Sequence, residues 1–243
     1  MEKRFLEFGE NEYNELISEI KVLADTKYRE FHSKLIPGIA SEFLGVRVPV
    51  LRKVAKKIAN EDFRGFLSIA KESNIYEIIM LYGMVIGLAK MDFNEKLLCL
   101  DKFVPKIDNW AVCDICVGDM KDIKKNKFIM FEYLQKYINS NKEYELRFAI
   151  VVLMQYFIED EYIDKVLEIY NNIKHDGYYV KMAVAWGVSI CFVKYREKTI
   201  TYLRDLDNCK LDKFTYNKSL QKIRESNRVS KEDKDMVKGW KKD

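Results

Sequence analysis

Two tryptophans, one aspartate and one arginine stand out because their surroundings are apolar. In NWAVCDICVGDM, Trp110 and Asp114 are four residues apart, so on a helix they share one face, which Val117 completes. Arg147, in ELRFAIVVLM, opens a stripe that continues through Ile150, Val151 and Met154. Trp186, in YYVKMAVAWGVSICFVKY, shares its face with Tyr179, Met182, Ile190 and Val193. A carboxylate beside an aromatic ring can stabilise a developing cation, indole faces attract cations or electron-poor rings, and a guanidinium can grip a phosphate. The same four residues also fit a structural role, an Asp–Arg ion pair between neighbouring helices and two core tryptophans. Spacing alone leaves both roles open.

Other chemistry-bearing residues carry less. Cys113-x-x-Cys116 lies inside an apolar helical pattern with no second such pair, so it reads as buried, inert thiols rather than a redox or zinc site. His32 and His175 lack partners at ligand spacing and read as structural or surface residues. No GxGxxG, P-loop, GxSxG or HExxH occurs, so nucleotide hydrolysis and ordinary hydrolase chemistry lack their signatures. No metal, cofactor or nucleotide is expected.

The elements that must position these residues are helices. Only 3 prolines and 10 glycines occur in 243 residues, too few for a turn-dense β-sandwich, and 48% hydrophobic residues supply a sizeable core. Amphipathic segments follow one another in two interleaved series. The first begins near Asp62, Asn94, Asn126, Asp160 and Arg196; the second begins near Tyr76, Asn109, Lys142, Tyr178 and Asp212. Both have a period in the mid-thirties, as stacked αα-hairpins do. Residues 10–36 supply one further pair, and Pro49 opens another helix where its missing N–H costs nothing. The second-series segments are apolar nearly all round and need neighbours on two sides, as the inner layer of a curved stack has. The expected fold is an all-α solenoid of HEAT-like antiparallel helix pairs, one domain over residues 1–243, with 109–120, 142–157, 178–194 and 212–226 on the concave side. Stacking of repeats would then align Trp110, Asp114, Arg147 and Trp186 along that surface.

The formal net charge of +4 is mild but uneven. Residues 1–24 hold six glutamates against three cations, whereas the last 37 residues hold eleven cations against seven acids. Such asymmetry permits a polyanionic partner. The start MEKRFLEFGENEYNE has no apolar signal region, no apolar run is long enough to span a bilayer, and five cysteines without a secretion signal read as reduced thiols. The expectation is a cytoplasmic monomer with no membrane partner.

Four stretches, FLGVRVPVLRKVAK (43–56), KIDNWAVCDICVGDMK (106–121), ELRFAIVVLMQYF (145–157) and YYVKMAVAWGVS (178–189), resemble the AlkD family of HEAT-like-repeat DNA glycosylases in order and spacing; TYNKSLQKIRES (215–226) adds weaker support. The resemblance implies that Trp110, Asp114, Arg147 and Trp186 form an active cleft that excises cationic N3- or N7-alkylated purines from duplex DNA, without drawing the base into a pocket. In that reading Asp114, Trp110 and Trp186 are catalytic and Arg147 binds a DNA phosphate. The chain departs from the family pattern at three places. Asn109 and Ala111 stand where a second Trp and an Asp can flank the motif Trp. Ile36 and Pro37 occupy the loop where a DNA-contacting Tyr can sit. Gly187, Val188, Ser189 and Ile190 replace a stretch that can carry an Arg. The alternative is a non-catalytic HEAT-like scaffold that binds DNA or a protein.

Overall fold

The computed structural model describes residues 7–242. Short polar residues start many of the helices by accepting orphan backbone N–H groups. Asp25 accepts from Tyr28 N and starts α2 (Thr26–Ser33). Asp62 accepts from Gly65 N and starts α4 (Phe63–Ala70), while its other oxygen accepts from Phe8 N. Asp92 caps α6 (Phe93–Phe103), Asn109 caps α7 (Trp110–Asp119), Asp212 caps α13 (Lys213–Glu225) and Ser230 caps α14 (Lys231–Lys238). Proline opens α3 (Val48–Ala59), as the sequence predicts. The remaining helices are α1 (Glu10–Val22), α5 (Tyr76–Leu88), α8 (Lys127–Ile138), α9 (Glu143–Tyr156), α10 (Ile163–Asn172), α11 (Tyr178–Lys194) and α12 (Arg196–Arg204). Short 3₁₀ turns run over Val104–Lys106 and Lys121–Lys125. Among the described residues no strand forms, and the one β-bridge joins Glu42 to Ile75.

Both helical series fall where their spacing puts them, with one shift. The helix expected near Asp160 starts at Ile163, because residues 159–162 form a turn that ends in Tyr162 N bonding to Glu159 O. No helix is long and apolar enough to cross a membrane among the described residues.

The chain folds into two compact units, divided between Asn126 and Lys127. In the first, α5 is packed between α3 and α7, and its residues from Tyr76 to Ile86 are all buried. That burial explains the all-round apolar sequence YEIIMLYGMVI: neighbours on two sides leave no wetted face. One polar residue interrupts it. The Glu77 carboxylate accepts from the backbone N–H groups of Leu44, Gly45 and Val46 and so fixes the loop that leads into α3. Gly45 sits at φ +100, where a side chain would be strained and would collide with Arg29. The sequence FLGVR is therefore a loop built around a buried acid.

In the second unit α11 is packed between α9 and α13, and α8 and α14 flank the row. Here too the second-series helices lie side by side in chain order.

Candidate active site

The first unit carries Trp110 and Asp114. Asn109 turns the chain into α7 by accepting from Val112 N, and its amide donates to Asp108 at 2.7 Å. The helix packs on α5 through Ala111, Val112, Cys113, Cys116 and Val117, all fully buried. Trp110, Asp114, Ile115, Gly118 and Asp119 remain partly accessible, and Trp110, Asp114 and Gly118 form one open stripe. Val117, expected on that face, instead belongs to the core, because the contact with α5 takes that edge of the helix. The Trp110 ring is fixed by its own N–H, which donates to Leu35 O at 2.9 Å. The segment between α2 and α3 is held from the same side by Asp108, whose Oδ2 accepts from Ala40 N, Ser41 N and Ser41 Oγ. Sequence reasoning missed Asp108 and this loop; an acid two residues before a motif tryptophan is the signal that could have found them.

The departures in this unit have structural reasons. Asn109 is a buried helix cap, a task a tryptophan cannot perform. Ile36 is buried in the core, so the loop offers no side chain outward at that position, while Pro37 is exposed. Cys116 is buried and donates to Met80 O, and burial pushes its thiol well above the ordinary range. The cysteine pair is core, and neither member is in a disulfide.

The second unit carries Arg147 and Trp186 on neighbouring helices. Arg147 is only 5% exposed, and its Nη1 donates to Tyr179 O at 2.6 Å. Tyr179 N in turn donates to Glu143 Oε1, so α9 and the first turn of α11 are joined by two reciprocal contacts. The stripe that follows Arg147, Ile150, Val151 and Met154, is buried. The stripe through Trp186 is different. Trp186 is 38% exposed, and Tyr179, Met182, Ile190 and Val193 are all partly accessible. Five apolar or aromatic residues on one face of a largely buried helix are thus accessible. A turn beyond Trp186, where the family can carry an Arg, Ser189 is buried with its hydroxyl on Trp186 O and Ile190 is partly accessible. Gly187, next to Trp186, faces the Tyr170 ring; even a Cβ would lie 2.6 Å from it. No long side chain fits there.

The two histidines have structural tasks. His32 is buried among Tyr28, Phe43 and Tyr76, and its Nε2 lies 3.2 Å from Tyr76 Oη. His175 accepts from Gly177 N at Nδ1, so its Nε2–H donates to Asn141 O.

The sequence model of the DNA alkylation repair enzymes matches residues 14–223. The chain belongs to this family. The match contains all four residues, Trp110, Asp114, Arg147 and Trp186, together with the helices that carry them. No curated protein matches the chain significantly.

Proposed function

We propose that the protein is a DNA glycosylase that removes cationic N3- or N7-alkylated purines from duplex DNA. The helix pairs of the two units would act as HEAT-like repeats of one DNA-binding domain. The observation that carries this reading is the open face of α7. There a fixed tryptophan and a carboxylate are accessible on a helix half of whose residues are core, in a chain of the alkylation repair family.

Alkylation at N3 or N7 leaves the purine positively charged, so its glycosidic bond is already weakened and the base departs without being protonated. What remains is to stabilise the oxocarbenium-like sugar and to direct a water to it. A carboxylate at Asp114 does the first electrostatically. The indole faces of Trp110 and Trp186 lie against the sugar and backbone of the lesion nucleotide and attract its positive charge. Arg147, anchored to Tyr179 O, takes a phosphate as a charged, multidentate donor. Because the sugar is the group held, the base need not enter a pocket, unlike ordinary base flipping.

A second reading, a non-catalytic scaffold that binds DNA, draws support from the burial of Arg147 and from its bond to the α11 backbone. One assay separates the two: single-turnover release of 7-methylguanine or 3-methyladenine from methylated duplex. The glycosylase reading expects release well above spontaneous depurination. It also expects Asp114→Asn to keep the fold and most DNA binding while slowing release by roughly 100-fold, the usual cost of removing a preorganised electrostatic group. Wild-type release at the spontaneous rate would leave the scaffold; full activity in Asp114→Asn would remove Asp114 from the mechanism.

A further inference from the structure

We propose that the groove between α13 and α14 is a second DNA-docking surface, which grips the phosphodiester backbone of duplex away from the reacting nucleotide. This rests on the reading of the protein as a DNA-acting enzyme. The groove encloses about 850 Å³ and is lined by five cations, Lys213, Lys218, Arg224, Lys238 and Lys241, with no carboxylate. Of the four acids on the same two helices, Glu225 pairs with Lys222 and Asp233 with Arg196 of α12, while Glu232 and Asp235 lie outside the groove lining. Among the described residues, Lys213, Arg224, Lys238 and Lys241 form no ion pair. Holding that many uncompensated cations together costs self-repulsion, which an incoming polyanion relieves.

The arrangement is linear. Lys213, Asn217, Gln221 and Arg224 recur every three or four residues along one face of α13. At 1.5 Å per residue they extend over about 16 Å, the rise of roughly five nucleotides of one DNA strand. The cations stand at the two ends of that row, Lys213 and Arg224, a separation that suits a regular polyanion rather than one phosphate group. Lys238 and Lys241 form the opposite wall. The backbone at that wall is fixed, because Asn217 donates to Lys242 O and accepts from Lys242 N, both at 2.9 Å. The apolar lining consists of buried Leu220 and Val237 and a partly exposed Phe214, so cations make up half of the lining residues and a polyanion is the occupant they select.

The test uses the full chain, undamaged duplex as the probe, and fluorescence anisotropy over a series of NaCl concentrations. Each phosphate that the protein no longer neutralises should make the slope of log K against log salt shallower by about 0.9. The double variant Lys238→Ala, Lys241→Ala should therefore bind more weakly at low salt, with a slope shallower by about 1.8. A matched pair on the same helix but outside the groove, Lys231→Ala with Lys234→Ala, should keep the wild-type slope. Equal slopes for wild type and the groove variant, or an equal effect from the matched pair, would overturn the proposal, as would a wild type that does not bind duplex. Binding that depends on the groove in a protein releasing no base would sink the glycosylase reading and leave the groove standing.

Discussion

Trp110, Asp114, Arg147 and Trp186 do not have equal freedom to act. Trp110 is oriented by a hydrogen bond and Asp114 shares its open face, whereas Arg147 is nearly buried and bonded to a carbonyl of the next helix. Arg147 therefore has a structural share that can be measured without DNA. Arg147→Met keeps much of the volume but leaves Tyr179 O without its charged donor, so stability should fall by about 1.5–3 kcal/mol. An unchanged urea midpoint would mean that the guanidinium is held for function alone. His32 gives a pH signature. Burial lowers its pKa below the ordinary 6.5, so the unfolded chain takes up the proton more readily. Its contribution is complete above pH 6.5 and is lost as pH falls from there through the lowered folded value. Glu77 acts in the opposite sense, because burial raises its carboxyl pKa and its contribution improves as pH falls. The histidine effect should therefore be read as a difference: His32→Gln should flatten the loss of stability below pH 6.5 relative to wild type. Parallel wild-type and variant curves would refute this.

At the scale of elements, the site depends on how α7 begins. Asn109 caps the helix one residue before Trp110 and also bonds to Asp108, which holds the loop that receives the Trp110 indole. Loss of such a cap costs about 1 kcal/mol. Asn109→Ala should lower the melting temperature accordingly and loosen the first turn of α7. Hydrogen exchange at Val112 N would show it, and protection there equal to wild type would argue against the cap. The same logic explains the FLGVRVP stretch, where Glu77 of α5 collects three backbone donors of the loop before α3.

At the scale of the molecule, net charge is modest and binding should be electrostatic rather than sequence-reading. The formal excess of +4, with its cations weighted toward the C-terminal end, predicts sequence-independent affinity for duplex that weakens as salt rises. Competition between two unrelated undamaged duplexes should show no preference, and the affinity of both should fall together between low and high salt. A marked preference, or affinity that ignores salt, would contradict this picture.

Helix identity and order were legible in the chain because a period in the mid-thirties and the Asp, Asn and Pro starts are local signals. The nearly all-apolar α5, α7, α9 and α11 announced their two-sided burial in the same way. The four candidate residues were visible as polar or aromatic exceptions in apolar helices. What each exception faces was not local. Val117 and Gly118 are neighbours in sequence, yet packing against α5 buries the first and leaves the second accessible. Arg147 and Trp186 look alike as exceptions, yet one is enclosed and bonded to a carbonyl while the other stays open. Lys96, on an outer helix with a conventional polar pattern, is 1% exposed against Asp122 and Gly87 O. Sequence periodicity gives the direction in which a side chain points from its own helix. Which neighbour meets it there depends on residues as far as 32 or 75 positions away, and only the tertiary structure brings them together.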